Sequence, residues 1–122
     1  MSETFNKVSL VVDKDFGNRL ESLVTNPVWI IDSPVNRMAV EAYRQQRGEP
    51  GVTAFNSADE DSASAACLNI LDTVELHHGE YSGGYSVLEV IGTPLGKKLH
   101  SAIKELGFTK FESTAEGFRA NR

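Results

Sequence analysis

A strand that runs straight into a capped helix is written into this chain twice, and no other feature constrains the fold as much. The first copy is Val28-Trp29-Ile30-Ile31-Asp32-Ser33-Pro34-Val35-Asn36-Arg37, and the second is Val87-Leu88-Glu89-Val90-Ile91-Gly92-Thr93-Pro94-Leu95-Gly96-Lys97. In each, an apolar β-forming run ends, a hydroxyl residue takes the helix N-cap, and proline takes the first helical position, where its missing N–H and fixed φ do no harm. Junctions of this kind belong to α/β proteins, and they aim helix N-termini at the space beyond the strand ends.

The rest of the chain supplies the alternating partners. Val8 to Val12 reads as a strand broken by Asp13-Lys14-Asp15, and a helix is predicted from Phe16 to Val24 with Asp15 as its cap. Val28 to Ile31 is apolar at every position, as a strand covered on both faces must be. The helix from Pro34 to about Gln46 is predicted to bury Val35, Met38, Ala39, Ala42 and Tyr43. Val52 to Phe55 is a third strand, and Ala63, Ala66, Cys67, Ile70 and Leu71 recur at helical spacing after a polar loop.

Thr73 to His78 fits two periods. It either finishes that helix or, as its alternation suggests, forms a strand; the strand reading makes a β-hairpin of residues 73–91. A last helix from Pro94 to Leu106 carries Leu95, Leu99, Ala102, Ile103 and Leu106 on one face. Thr109 to Ser113 is a closing strand, with a short edge strand at Phe118-Arg119. The expected fold is therefore α/β: one domain over residues 1–122, with a mainly parallel sheet of about five to six strands and about four helices. An α+β two-layer sandwich is the alternative. Residues 1–6 and 119–122 are expected to fray.

Composition excludes several classes of function. A net charge of −5 without a basic stripe argues against nucleic acid and anionic membranes as partners. The single cysteine excludes an intrachain disulfide and any cysteine-rich metal site. No apolar run approaches the roughly 20 residues of a membrane helix, and no secretory leader pattern is visible, so a cytoplasmic protein is expected. Glycine-rich cofactor fingerprints and metal-ligand spacings are missing as well, so neither cofactor nor metal is expected.

In open α/β sheets ligands bind beyond the carboxyl ends of the strands. The candidate ligand-binding residues there are Asp13, Asp32, Ser33, Asn36, Arg37 and Thr93. Arg37 in the first turn of a helix faces the positive end of the dipole and calls for a negative neighbour. Asp32 answers as an ion-pair partner; so would the phosphate or carboxylate of a small anionic ligand. Asp32 ends a strand as the phosphoacceptor aspartate of receiver domains does, yet Asp13 and Asp32 are only 19 positions apart, too close for the βα unit such a domain needs between them.

His77, His78 and Glu80 form the second cluster, with acid–base work as its natural chemistry. Two functions follow. One is a binding or regulatory module with an anion or ligand site at the strand-to-helix junctions, a protein partner, or a second copy in a homodimer. The other is a small enzyme that grips an anionic or polar metabolite with Asp32 and Arg37 and moves a proton with His77 or His78. The lack of a nucleophile paired with a base favours the first.

Overall fold

A computed structural model describes residues 6–15, 27–48, 53–57, 62–78 and 84–122. In chain order these form β1 (Lys7–Val11), β2 (Val28–Ile31), α1 (Pro34–Arg47), β3 (Thr53–Asn56), α2 (Ala63–His77), β4 (Val87–Ile91), α3 (Lys97–Glu105), β5 (Lys110–Ser113) and β6 (Gly117–Asn121). All six strands make one sheet, ordered β3-β2-β1-β4-β6-β5. Strands β1 to β4 are mutually parallel, while β6 runs antiparallel to both β4 and β5. The fold is thus α/β, its sheet parallel from β3 through β4 as expected and mixed overall because β6 enters antiparallel in the C-terminal half. Three helices are described; the helix predicted from Phe16 to Val24 lies outside the described residues.

Strand alternation sorts the core into two clusters. Val8, Leu10, Val12, Trp29, Ile31, Leu88, Val90, Phe118 and Ala120 face one side, where α2 and α3 cover them with Cys67, Ile70, Val74, Leu99 and Ile103. Val11, Val28, Ile30 and Ile91 face the other side and meet Val40, Ala39 and Tyr43 of α1. Helices on both faces make three layers, and the two-layer alternative is set aside.

Four expectations are corrected. The hairpin over residues 73–91 does not form, because α2 continues to His77. Val74 extends the buried row of Ala66, Cys67, Ile70 and Leu71 at helical spacing, whereas Leu76, which a strand would have buried beside it, is 82% exposed. The apolar–polar alternation there was a coincidence of a helix end.

The rotation of α1 also differs. Asn36 and Val40 are buried, while Val35 is 42% and Met38 70% exposed. Two hydrogen bonds from the Asn36 side chain to strand-end carbonyls turn the helix, and a buried asparagine is invisible to hydrophobic periodicity.

The second strand-to-helix junction differs from the first. Helix α3 starts at Lys97 with Gly96 as its N-cap, so Thr93 and Pro94 precede the helix instead of capping it. Gly92, at φ 108°, turns the chain aside and donates its N–H to Glu116 O at 3.0 Å. The intervening residues then bring the chain back over the sheet.

Finally, residues 119–121 belong to an inner strand. The turn after β5 inserts β6 between β4 and β5, burying Phe118 and Ala120 completely. Arg122 lies over the rings of Tyr85 and Phe108, at 5.0 and 4.5 Å from their centroids. Residues 1–5 of the other expected frayed end lie outside the described residues.

Candidate functional site

The first junction is built as its local sequence dictates. Ser33 sits in extended conformation at the N-cap of α1, its Oγ accepting from the Asn36 N–H at 3.1 Å, and Pro34 opens the helix. The same hydroxyl donates to Lys14 O at 2.7 Å. Asn36, fully buried, donates from Nδ2 to Asp13 O and to Ile31 O, each at 2.9 Å. Asp13 in turn accepts the Asp15 N–H on its Oδ1 at 2.9 Å, closing an Asx turn. Ser33 and Asn36 therefore stitch the exit of β1 to the β2–α1 junction, and their polar atoms are engaged within the chain.

Asp32 and Arg37 form a bidentate pair, with Nε to Oδ1 at 2.5 Å and Nη2 to Oδ2 at 3.0 Å. The guanidinium also lies 4.6 Å from the centroid of the Phe55 ring on β3. Its hydrogen bonds hold the Asp32 carboxyl below the usual carboxylate range and raise Arg37 in return. This planar clamp spans the carboxyl ends of β2 and β3. It supplies the negative partner that the position of Arg37 demands, and it stands at the surface, with the Arg37 side chain 59% and that of Asp32 28% exposed.

Open space lies one strand over. The chain steps outward from β1 to β2 to β3 and then returns to place β4 on the other side of β1, so the sheet order reverses between β1 and β4. At such a point the connections leave in opposite directions and a crevice opens beyond the strand ends. A hollow of about 240 Å³ is found there, lined by Val12, Asp13, Lys14, Ile31, Ala63, Ala66 and Gly92. A second, of about 400 Å³, adjoins it across Gly92 and is lined by Thr93, Pro94, residues 114–116 and Gly117.

Small residues leave this room. Ala63 and Ala66 open α2 and line the hollow with methyl groups alone, and the N-cap Ser62 accepts the Ala65 N–H on its side chain. Gly92 packs so tightly on β1 that a Cβ would fall 2.7 Å from Asp13 N. Of the predicted ligand residues, Asp13 and Thr93 line these hollows. Lys14, Ala63 and Ala66 were missed; an alanine pair at a helix start carries no chemical signature until the topology sets it over a strand end.

The histidines lie elsewhere. Helix α2 begins at the crevice and runs 15 residues, roughly 22 Å. His78 follows its last turn with its ring 6.4 Å from that of Tyr85, which leads into the amino end of β4. Tyr85 donates its hydroxyl to Glu75, and Arg122 approaches the same carboxylate at 3.6 Å. Burial, reinforced by Glu75, pushes the Tyr85 phenol well above its ordinary range. The fold thus separates His77 and His78 from the Asp32–Arg37 pair by the length of the sheet, and Glu80 lies outside the described residues. No group of three or more potential metal-ligating side chains gathers among the described residues.

Cys67 is fully buried in the core under α2, and burial pushes its thiol up to about 12. Its thiolate population at neutral pH is then roughly a thousandfold below that of an ordinary cysteine. Ellman's reagent is expected to leave the native protein untouched over the time in which the urea-unfolded chain reacts fully. Fast reaction of the folded protein would contradict the packing of α2.

Comparison with models of protein families, with curated proteins and with solved structures finds no match to this chain.

Proposed function

We propose that the chain is a binding module whose ligand, a small anionic or polar metabolite, occupies the crevice at the carboxyl ends of β1 and β4. The observation that carries this reading is the coincidence of the reversal in strand order with a hollow rimmed by Asp13, Lys14 and the start of α2. A lysine and the positive end of a helix dipole attract negative charge. The Asp13 carboxylate beside them suits a hydroxyl or amine on the same ligand. The volume fits a molecule of metabolite size. With this reading goes that of a cytoplasmic protein without a nucleic-acid or membrane partner, in keeping with its net charge of −5; among the described residues no helix is long and apolar enough to cross a membrane.

The test is a thermal-shift screen against inorganic phosphate, ribonucleotides and di- and tricarboxylates. A ligand that binds the native state raises the melting temperature as its concentration climbs above the dissociation constant. Lys14→Ala and Ala63→Leu, which remove the cation and fill the hollow, are each expected to erase the shift. Arg37→Ala is expected to keep it, because that guanidinium is engaged by Asp32 and Phe55. A flat screen, or a shift that survives Ala63→Leu, would sink the proposal.

A further inference from the structure

The sheet ends at β5, and among the described residues no strand pairs with its outer side. Across the hairpin, Thr114 N–H donates to Gly117 O at 3.0 Å. Hydrogen-bonding direction alternates along an antiparallel ladder. Glu112 and Lys110 therefore turn their N–H and C=O groups toward β6, and Phe111 and Ser113 turn theirs to the free edge. An open edge of this kind is a template for another strand.

The charges on this edge select the strand. On the face away from α3, residues in register across the sheet are Glu89 on β4, Arg119 on β6 and Glu112 on β5. Arg119 Nη2 reaches Glu89 Oε2 at 2.9 Å, and Lys7 Nζ reaches Glu89 Oε1 at 3.2 Å. Sign alternates along this row, and the next place outward calls for a cation. Glu112 adds a weaker pull on Arg119 to that of Glu89, and among the described residues Lys110 forms no ion pair within 4 Å.

We propose that β5 pairs antiparallel with β5 of a second copy about a two-fold axis at Phe111, joining two sheets into one of twelve strands. In this register each Phe111 exchanges two backbone hydrogen bonds with its counterpart, which matches the groups the free edge presents. Lys110 of one copy then stands opposite Glu112 of the other, twice, in the non-hydrogen-bonded pairing where facing side chains come closest. The alternating row continues across the axis, with the lysine next after Glu112. Sliding the partner by two residues either way keeps the hydrogen-bond phase but sets Lys110 against Lys110 or Glu112 against Glu112. Charge thus specifies one register. On the opposite face the two Phe111 rings meet, each already packed on His100 at a centroid distance of 4.3 Å. An edge of four residues is short, so a dissociation constant in the micromolar range is expected.

Sedimentation velocity over a concentration series tests this on the full chain. The wild-type protein is expected to pass from monomer to dimer with concentration. Glu112→Lys and Lys110→Glu, each placing like charges opposite one another, are each expected to weaken the dimer by at least about tenfold. The double variant Lys110→Glu/Glu112→Lys is expected to regain it. The double variant keeps a lysine beside Arg119, as Glu112→Lys does, so recovery reports the contact between copies and not the fold of one. Circular dichroism confirms that each variant is folded. A wild-type chain that stays monomeric throughout, a dimer indifferent to either single swap, or a double variant that stays dissociated would each overturn the proposal.

Discussion

Gly117→Ala is expected to destabilise the protein by about 3 kcal/mol or more, a large share of what a domain of this size possesses. The reason is space. A Cβ on Gly117 would stand 2.1 Å from Val90 O, 3.0 Å from Val90 C and 3.1 Å from Thr93 O. All three are backbone atoms, so no side chain can swing away to make room. The strand must retreat instead, and β6 has nowhere to retreat to because β4 and β5 hold it on both sides. Withdrawal would also loosen Phe118 and Ala120, both fully buried against α2 and α3. Urea denaturation followed by tryptophan fluorescence measures the effect, since Trp29 sits in the same core. Gly96→Ala is the comparison: its Cβ meets nothing within 4 Å and loses only the preference of an N-cap for glycine over alanine, under about 1 kcal/mol. Equal stability of Gly117→Ala and wild type would mean that β6 does not lie against β4 in this register.

The same strand shows where reading the sequence stops. Val28 to Ile31 and the Ser33-Pro34 cap were legible because everything that decides them is local: four apolar residues, a hydroxyl, a proline. Thr93-Pro94 carries the same local text and forms no cap. Its fate is set by the Gly92 N–H bonded to Glu116 and by the close approach of Gly92 to Asp13, contacts between residues far apart in the chain. Residues 73–78 were ambiguous for a different reason, since one buried valine is compatible with either period, and only the continuation of the Cys67–Ile70–Val74 row decides it. The insertion of β6 had no local signal, because Phe118 and Ala120 alternate with polar residues in the same way on an edge strand as on an inner one.

At the site the pattern repeats. Asp32 and Arg37 could be matched from helix electrostatics alone. That this match engages both side chains, while open space forms at the β1–β4 reversal, depends on strand order. Asp13 and Thr93 line the crevice because each lies two residues past the end of its strand, β1 and β4, and Ser33 and Asn36 became its internal supports.

Asn36 is the support that matters most, and Asn36→Ala is expected to cost about 3 to 4 kcal/mol. Its Nδ2 serves Asp13 O and Ile31 O together, at 2.9 Å each, from a position with no solvent exposure. Removing the amide leaves two carbonyls short of a donor, Ile31 O in a buried place and Asp13 O in a part-buried one, at about 1 to 3 kcal/mol apiece. Asn36→Asp separates this account from a simple cavity. The carboxyl group keeps the shape but, when ionised, brings negative charge against two carbonyl oxygens, so its folded-state pKa must rise above the unfolded value of about 4. For an acid raised in this way the protonated form is favoured by folding. The variant is then nearest to wild type below about pH 4, where its carboxyl carries a proton in both states and can donate to one carbonyl. It loses ground steadily as pH rises from there to the folded-state pKa, beyond which the deficit is constant. Urea midpoints of wild type, Asn36→Ala and Asn36→Asp across that range read out the difference. A deficit for Asn36→Asp that is flat with pH, or an Asn36→Ala protein within about 1 kcal/mol of wild type, would show that these carbonyls are not held by this side chain. The exits of β1 and β2 would then lack the tie that keeps Asp13 at the crevice.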